Sequence, residues 1–144
     1  MILLKAEVNH PVIKILQKLF KRKPDQISVR IDASEPLLMV RLCVNDRQTA
    51  KIQCVMQSAT DILIGDIQHH NEKADYNKGY GSMMMDKLLS YARENGFHYI
   101  WGNLSDVDLG HKDRLHHFYE KFGFAITEYA EPDGCYYGKI ELRL

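Results

Sequence analysis

Two periodicities of hydrophobic and polar positions alternate along the chain. Where apolar residues recur every three to four positions, the pattern predicts an amphipathic helix. Three segments show this spacing: residues 9–23, 82–95 and 113–122. Pro24 should end the first helix, because proline disfavours helical geometry at the residue before it. Gly96 and Gly123 should follow the other two, since glycine commonly comes after the last helical turn.

Shorter segments with β-strand character separate these helices. ISVRIDA alternates apolar and polar residues, and together with the apolar runs and turn signals that follow, up to His70, it predicts three or four antiparallel strands. Three further strands are predicted in HYIWGNLS, FAITEYA and CYYGKIELRL. No repeat or Gly/Ser linker interrupts this order. We therefore expect a single α/β domain over residues 1–144 with a mixed sheet.

The composition is that of a folded protein with balanced charge. Hydrophobic residues make up 45% of the chain and charged residues 26%, with 19 basic and 19 acidic side chains, so neither disorder nor nucleic-acid binding is favoured. No apolar run approaches the roughly 20 residues that span a bilayer. Lys5 and Glu7 come too early for the apolar part of a signal peptide. We expect a cytoplasmic protein that has no membrane partner.

Cysteines and histidines suggest neither a disulfide framework nor a metal site. The chain has three widely spaced cysteines: Cys43, Cys54 and Cys135. An odd number without a CxxC motif favours reduced thiols, which we place in or near the core. Helical zinc pairs need histidines on one face, typically four residues apart, whereas His111 and His116 are five apart and His116 and His117 are adjacent. No metal is expected.

The stretch YNKGYGS places two glycines immediately before a predicted helix. Gly79 and Gly81 would let the backbone approach an anion without an interfering Cβ, and the helix start would present free N–H groups at its positive end. The pattern is neither the dinucleotide GxGxxG nor a P-loop, since it has no GK[ST]. The alternative is a permissive loop that only starts a helix.

A second motif, DRLHHFYEKFGF, lies about forty residues further on. With the glycine loop and an intervening strand, it resembles the GNAT superfamily of N-acetyltransferases, which pairs a [Q/R]xxGx[G/A] loop with a later FYEKxGF-like helix. The resemblance covers Asp61 to Leu144. It implies a mostly antiparallel central sheet with helices on both faces. Two parallel strands, ending near His70 and Leu104, would splay apart to admit the pantetheine arm of acetyl-CoA.

The resemblance also implies roles for individual residues. Tyr119 would protonate the departing CoA thiolate, since a phenol is protonated near neutral pH. The alternative role of Tyr119 is packing only. Tyr76 stands where the family usually has Gln or Arg, and Lys112 where it often has Asn. The cofactor-binding residues would be His69, Asn77, Lys78, Gly79, Tyr80, Gly81 and Ser82.

The general base is less clearly indicated. An amine acceptor is protonated near neutral pH and must lose a proton before it attacks a thioester. His70, at the end of a strand expected to line the cleft, is the best candidate by position and by residue type. Glu72, Asp106 and Asp108 are alternatives, as is a chain of water molecules. His69 and His70 are equally compatible with being polar residues at a strand end.

These features predict an acetyl-CoA-dependent N-acetyltransferase that transfers the acetyl group directly to a primary amine. The alternative is an acyl-CoA-binding regulatory or interaction module of the same fold without turnover. The sequence does not identify the amine, and it is compatible with a homodimer.

Overall fold

The computed structural model of the protein describes residues 11–20, 23–70 and 78–144. Within these residues, three α-helices and seven strands follow one another, with one short 3₁₀ helix. The elements are α1 (Pro11–Phe20), β1 (Ile27–Ser34), β2 (Leu37–Val44), β3 (Arg47–Met56), β4 (Asp61–His69), α2 (Tyr80–Glu94), β5 (Tyr99–Ser105), the 3₁₀ helix (Asp106–His111), α3 (Lys112–Lys121), β6 (Ala125–Asp133) and β7 (Tyr136–Arg143).

The strands form one mixed sheet in the order β1-β2-β3-β4-β5-β7-β6. Every neighbouring pair is antiparallel except β4 and β5, which are parallel. Parallel neighbours need a crossover connection, and α2 supplies it. The predicted α/β fold with a mixed, mostly antiparallel sheet is confirmed.

The core lies between this sheet and the two later helices. The apolar face of α2 is buried through Met84, Met85, Leu88 and Ala92, as its periodicity predicts. Tyr119 of α3 joins the same cluster. From the sheet the cluster takes a set of buried aliphatic residues: Leu38, Val40, Leu42, Ile52, Ile62, Ile64, Ile100, Leu104 and Ile140.

The starts of α2 and α3 differ from the sequence prediction by one or two residues. Helix α2 begins at Tyr80 instead of Ser82, so Gly81 lies inside its first turn and Gly79 is the N-cap. Helix α3 begins at Lys112, because the preceding residues 106–111 form the 3₁₀ helix. The prediction for α1 extended over residues 9–10 and 21–22, which lie outside the described residues.

One cysteine prediction is wrong. Cys43 and Cys54 are buried, as expected, but Cys135 is exposed. Its position explains this, since it follows Gly134, which has a φ of +61°, in the tight turn between β6 and β7. Side chains in such turns lie at the surface.

Candidate active site

The sheet opens between β4 and β5. The two strands pair from Asp61–Tyr99 to Ile64–Gly102, and their described pairing ends there although both strands continue. A bulge marks this point, because Gln53 pairs with Asp66 and Cys54 with Ile64, which leaves Gly65 as the extra residue of β4. A bulge bends its strand and increases the local twist. The resulting gap, between residues 65–69 of β4 and 103–105 of β5, is here called the opening.

The loop end of the site is defined by Lys78, Gly79, Gly81, Ser82 and Lys121. Gly79 has a φ of +78° and an added Cβ would meet nothing within 4 Å, so its conformation, and not crowding, requires glycine. Gly81 has a different reason. Its Cβ would come within 3.3 Å of the Phe118 ring, so Gly81 lets α3 pack closely against the start of α2.

Two lysines lie at this helix start. The Lys121 ammonium donates a hydrogen bond to Ser82 Oγ, with 2.6 Å between the atoms, which ties the end of α3 to the first turn of α2. Lys78 Nζ lies 5.9 Å from the centre of the Tyr80 ring. Two cations beside the positive end of a helix form an environment suited to phosphate. Lys121 was not predicted as a site residue, because its position in the FYEK motif does not show that its side chain contacts α2.

The phenol end of the site is defined by Tyr119, Cys54, Asp66 and Asp108. Tyr119 is only 7% exposed, with its ring edge-to-face against Phe124 at 5.5 Å between centres. Burial raises the pKa of Tyr119 well above its ordinary value, and the nearby Asp108, Cys54 and Asp66 raise it further. These neighbours come from β3, from β4 beyond the bulge, and from the segment after β5. The phenol is therefore within electrostatic range of groups that border the opening, and it is protonated at neutral pH.

Sequence and structure comparisons agree with this architecture. The sequence signature of the Acetyltransferase (GNAT) family matches residues 74–124, which include the loop end and Tyr119. A GNAT family acetyltransferase from Elizabethkingia anophelis with acetyl-CoA bound superposes with a TM-score of 0.64 at 12% identity, over 84% of this chain and 100% of that one. Ard1 from Thermoplasma volcanium gives a TM-score of 0.60 at 22% identity, over 74% and 70% of the two chains. Residues 74–124 of this chain therefore match the GNAT family, and the chain has the fold of these GNAT structures.

Two further matches cover a smaller share of the matched protein. The PaiA N-acetyltransferase from Thermoplasma acidophilum, in complex with coenzyme A, superposes with a TM-score of 0.61 at 13% identity, over 76% and 62% of the two chains. The uncharacterised Bacillus subtilis protein YocC is 40% identical over 65 residues, which are 45% of this chain. That match spans 36% of YocC, about a third of its length.

Asp66 is an exposed polar residue of the opening that sequence reasoning missed. It follows the bulge at Gly65, and its carboxylate accepts a hydrogen bond of 2.7 Å from the side-chain amide of Gln68. The glycine and aspartate in the middle of DILIGDIQ break the apolar run, and glycine inside a strand often marks a bulge. That signal could have directed attention to Asp66.

The predicted histidines do not converge on Tyr119. His70 is exposed, and its backbone N–H donates to the carbonyl of Thr49 at 2.7 Å, which anchors the end of β4 beside β3. His69 pairs with Ala50 and is half-buried, with its Nδ1 buried and without a hydrogen-bond partner among the described atoms. No described contact joins either imidazole to Tyr119.

The remaining predicted site residues differ in exposure, and some lie outside the described part of the chain. Asn77, Tyr76 and Glu72 lie outside the described residues. Tyr80 is buried, whereas Lys78 and Gly79 are exposed. Asp106 is exposed and Asp108 half-buried. Within residues 11–20, 23–70 and 78–144, no three His, Cys, Asp or Glu side chains are grouped as metal ligands, and no described helix has the length and apolar character to cross a bilayer.

Proposed function

We propose that this protein is an N-acetyltransferase of the GNAT superfamily that uses acetyl-CoA and transfers the acetyl group directly to a primary amine. One observation carries the proposal: a protonated, buried phenol is within electrostatic range of groups that border an opening of the sheet whose neighbouring helix start is lined by two lysines. Acetyl-CoA needs both features, an anion site for its phosphates and a proton donor for its sulfur. The bound acetyl-CoA and coenzyme A of the Elizabethkingia and Thermoplasma relatives support this cosubstrate.

The loop end would bind the pyrophosphate. Backbone N–H groups of the first turn of α2 point out of the helix start and lack intrahelical partners. Lys78 and Lys121 add positive charge beside them. Asn77 is proposed to contribute its backbone N–H on the resemblance alone. The pantetheine arm would then lie along the opening, in the position that a neighbouring strand would otherwise occupy.

Acetyl transfer itself would take place at the phenol end. As the amine nitrogen bonds to the thioester carbon, the C–S bond breaks and a thiolate leaves. Tyr119 has a proton to donate at neutral pH, as any phenol does. Burial raises its pKa, but the same apolar surroundings also raise the proton affinity of the departing thiolate, so the proton can pass to the sulfur. Main-chain N–H groups at the edge of the opening would polarise the carbonyl. Asp66 and Asp108 give this end negative charge, which favours an ammonium group over an anionic acceptor.

Two measurements test the proposal. Isothermal titration calorimetry with acetyl-CoA and with CoA should show saturable binding that weakens as salt is added. A thiol-detection assay of CoA release should then give turnover with at least one member of a panel of polyamines, amino acids, aminoglycosides and peptide N-termini. Absence of binding contradicts the proposal. Binding without CoA release from any amine supports the alternative, a non-catalytic acyl-CoA-binding module.

A further inference from the structure

A second group of polar side chains lies between α3 and the start of β7. Tyr137 Oη and His116 Nε2 are 2.9 Å apart, a hydrogen-bonding distance. The two rings are stacked, with 6.0 Å between their centres and 19° between their planes. Tyr137 is 9% exposed and His116 is half-buried. A buried phenol is therefore in contact with an imidazole that reaches solvent.

A second bulge produces this contact. Leu104 of β5 pairs with Gly138, and Ser105 pairs with Tyr136, which leaves Tyr137 as the extra residue of β7. A bulge re-aims a side chain, and here Tyr137 and its neighbour Gly138 are both buried. The Tyr137 ring is thereby directed at α3, beside the strand end that borders the opening.

The spacing along α3 connects this pair to the phenol end. Residues three and four apart lie on the same face of a helix, so Lys112, His116 and Tyr119 form one stripe. Tyr137 lies near enough to Tyr119 to contribute to the raised pKa of that phenol. Asp108 acts on both phenols. The His116–Tyr137 pair is therefore a continuation of the phenol end.

Charged groups surround the pair on several elements. Lys112 of α3 lies 5.6 Å from the centre of the Tyr137 ring and forms an ion pair with Glu128 of β6. Glu128 and His116 interact electrostatically, and Asp108 of the 3₁₀ helix contributes to the raised pKa of Tyr137. Burial raises the pKa of Tyr137, so its hydroxyl is neutral and can both donate and accept a hydrogen bond.

We infer that Tyr137 and His116 form the route by which an ammonium acceptor loses its proton. In the His116 tautomer with hydrogen on Nδ1, Nε2 accepts the hydroxyl proton of Tyr137. The Tyr137 oxygen accepts a proton from the ammonium group, directly or through one water. The phenol is restored, the amine becomes neutral, and the imidazolium releases its proton to solvent. This inference rests on the proposed acetyl transfer.

The proton balance of the whole reaction is consistent with this route. An ammonium acceptor and acetyl-CoA give the acetamide, CoA thiol and one free proton. Tyr119 supplies the proton that the sulfur gains, and a second N–H proton of the amine replaces it. The remaining proton is the one that leaves through Tyr137 and His116. Two tyrosines on different elements thus have opposite tasks at one site.

Substitutions at both residues test the inference, measured with the best amine found in the CoA-release assay. His116→Gln keeps a hydrogen-bonding side chain beside Tyr137 but cannot take up a proton near neutral pH, and Tyr137→Phe removes the linking hydroxyl. Each variant should lower kcat by about 10²-fold, within the range of acid–base catalysis. The dissociation constant for acetyl-CoA should not change. His117→Gln, at the adjacent exposed position, is the matched control and should behave like the wild type.

The pH profile separates a proton route from a structural contact. Between about pH 5 and pH 9, log kcat of the wild type and of His117→Gln should rise and then level off, whereas log kcat of His116→Gln should keep rising, because only amine that is already neutral can then react. A variant that turns over within about twofold of wild type, or whose log kcat levels off as that of the wild type does, overturns the inference even if its melting temperature is lower. If the wild-type protein acetylates no amine, both this inference and the proposed function are overturned. If the wild type is active and the variants are unaffected, only this inference is overturned.

Discussion

The loop end and the phenol end of the opening differ in how they are built. The loop end is exposed at Lys78, Gly79 and Lys121, and the groups proposed to bind there are main-chain N–H groups and lysine ammonium groups. The phenol end is centred on the buried Tyr119 and Cys54, with Asp108 half-buried and Asp66 exposed, and its side chains come from four separate elements. The first can hold a charged cosubstrate in water, while the second can shift proton affinities. Cosubstrate binding and proton transfer are therefore proposed for two different environments. A substitution at one end should leave the function of the other end intact.

The largest effect should come from the phenol end. Tyr119→Phe deletes one hydroxyl and keeps the ring that packs on Phe124. If the phenol protonates the thiolate, kcat should fall by about 10² to 10⁴-fold while acetyl-CoA affinity is nearly unchanged. Steady-state kinetics and calorimetry on the same preparation measure both, and a melting curve controls for unfolding. Turnover within about twofold of wild type would show that Tyr119 is not the acid.

A substitution at the loop end should instead weaken acetyl-CoA binding. Gly79→Asp adds a carboxylate where the pyrophosphate is proposed to bind and should weaken acetyl-CoA binding by about 10²-fold or more through repulsion and blocking. Gly96→Asp is a closely matched control. Gly96 has a φ of +77° and an equally empty surrounding, at the opposite end of the same helix.

The stability of these two variants sharpens the test. A carboxylate is favourable at a helix N-terminus and unfavourable at a C-terminus, so Gly79→Asp should be no less stable than Gly96→Asp. Loss of acetyl-CoA binding in Gly79→Asp alone, measured by calorimetry, therefore cannot come from unfolding. Equal affinity in the two variants would contradict the placement of the phosphate at this loop.

A smaller effect is expected from the lysine that joins α3 to α2. Lys121→Met removes the ammonium group beside Ser82 and should weaken acetyl-CoA binding by about fivefold, the size of one modest charge-assisted interaction. The loss should shrink at high salt, which screens exposed charges. Lys87→Met, at an exposed position further along α2, should bind like the wild type. If both variants bind equally, Lys121 only links the helices.

The smallest effect concerns stability at alkaline pH. Because the pKa of Tyr119 is raised in the folded protein, its stabilising contribution is complete below the unfolded-state value near 10 and is lost as pH rises through the folded value. The difference in unfolding free energy between wild type and Tyr119→Phe should be constant from about pH 7 to pH 9. It should then fall, by under about 1 kcal/mol at roughly pH 10.5. Urea unfolding measures it, and a constant difference would indicate an unshifted phenol.

Local patterns predicted the elements, and the loop end in part, because helices, caps and glycine loops are encoded within a few neighbouring residues. The phenol end was only partly predictable. Tyr119 was found through its motif, but the bulges at Gly65 and Tyr137 depend on how distant strands pair, which no local spacing reveals. Lys121 and His116 were missed for the same reason. Cys135 was wrongly placed because a turn and a strand end look alike in sequence.

The parallel pairing of β4 and β5, here called the seam, divides the sheet into two parts that could be produced as separate fragments. Four residue pairs join an N-terminal meander, β1 to β4, to a C-terminal antiparallel unit, β5 to β7. Asn95 and Gly96 form an exposed turn between them, so a cut there yields two fragments that each keep an antiparallel sheet. The loop glycines belong to one fragment and Tyr119 to the other. A ligand lying along the seam would strengthen fragment complementation by about RT ln(1 + [L]/Kd), which would make reassembly of the halves a sensor for its concentration.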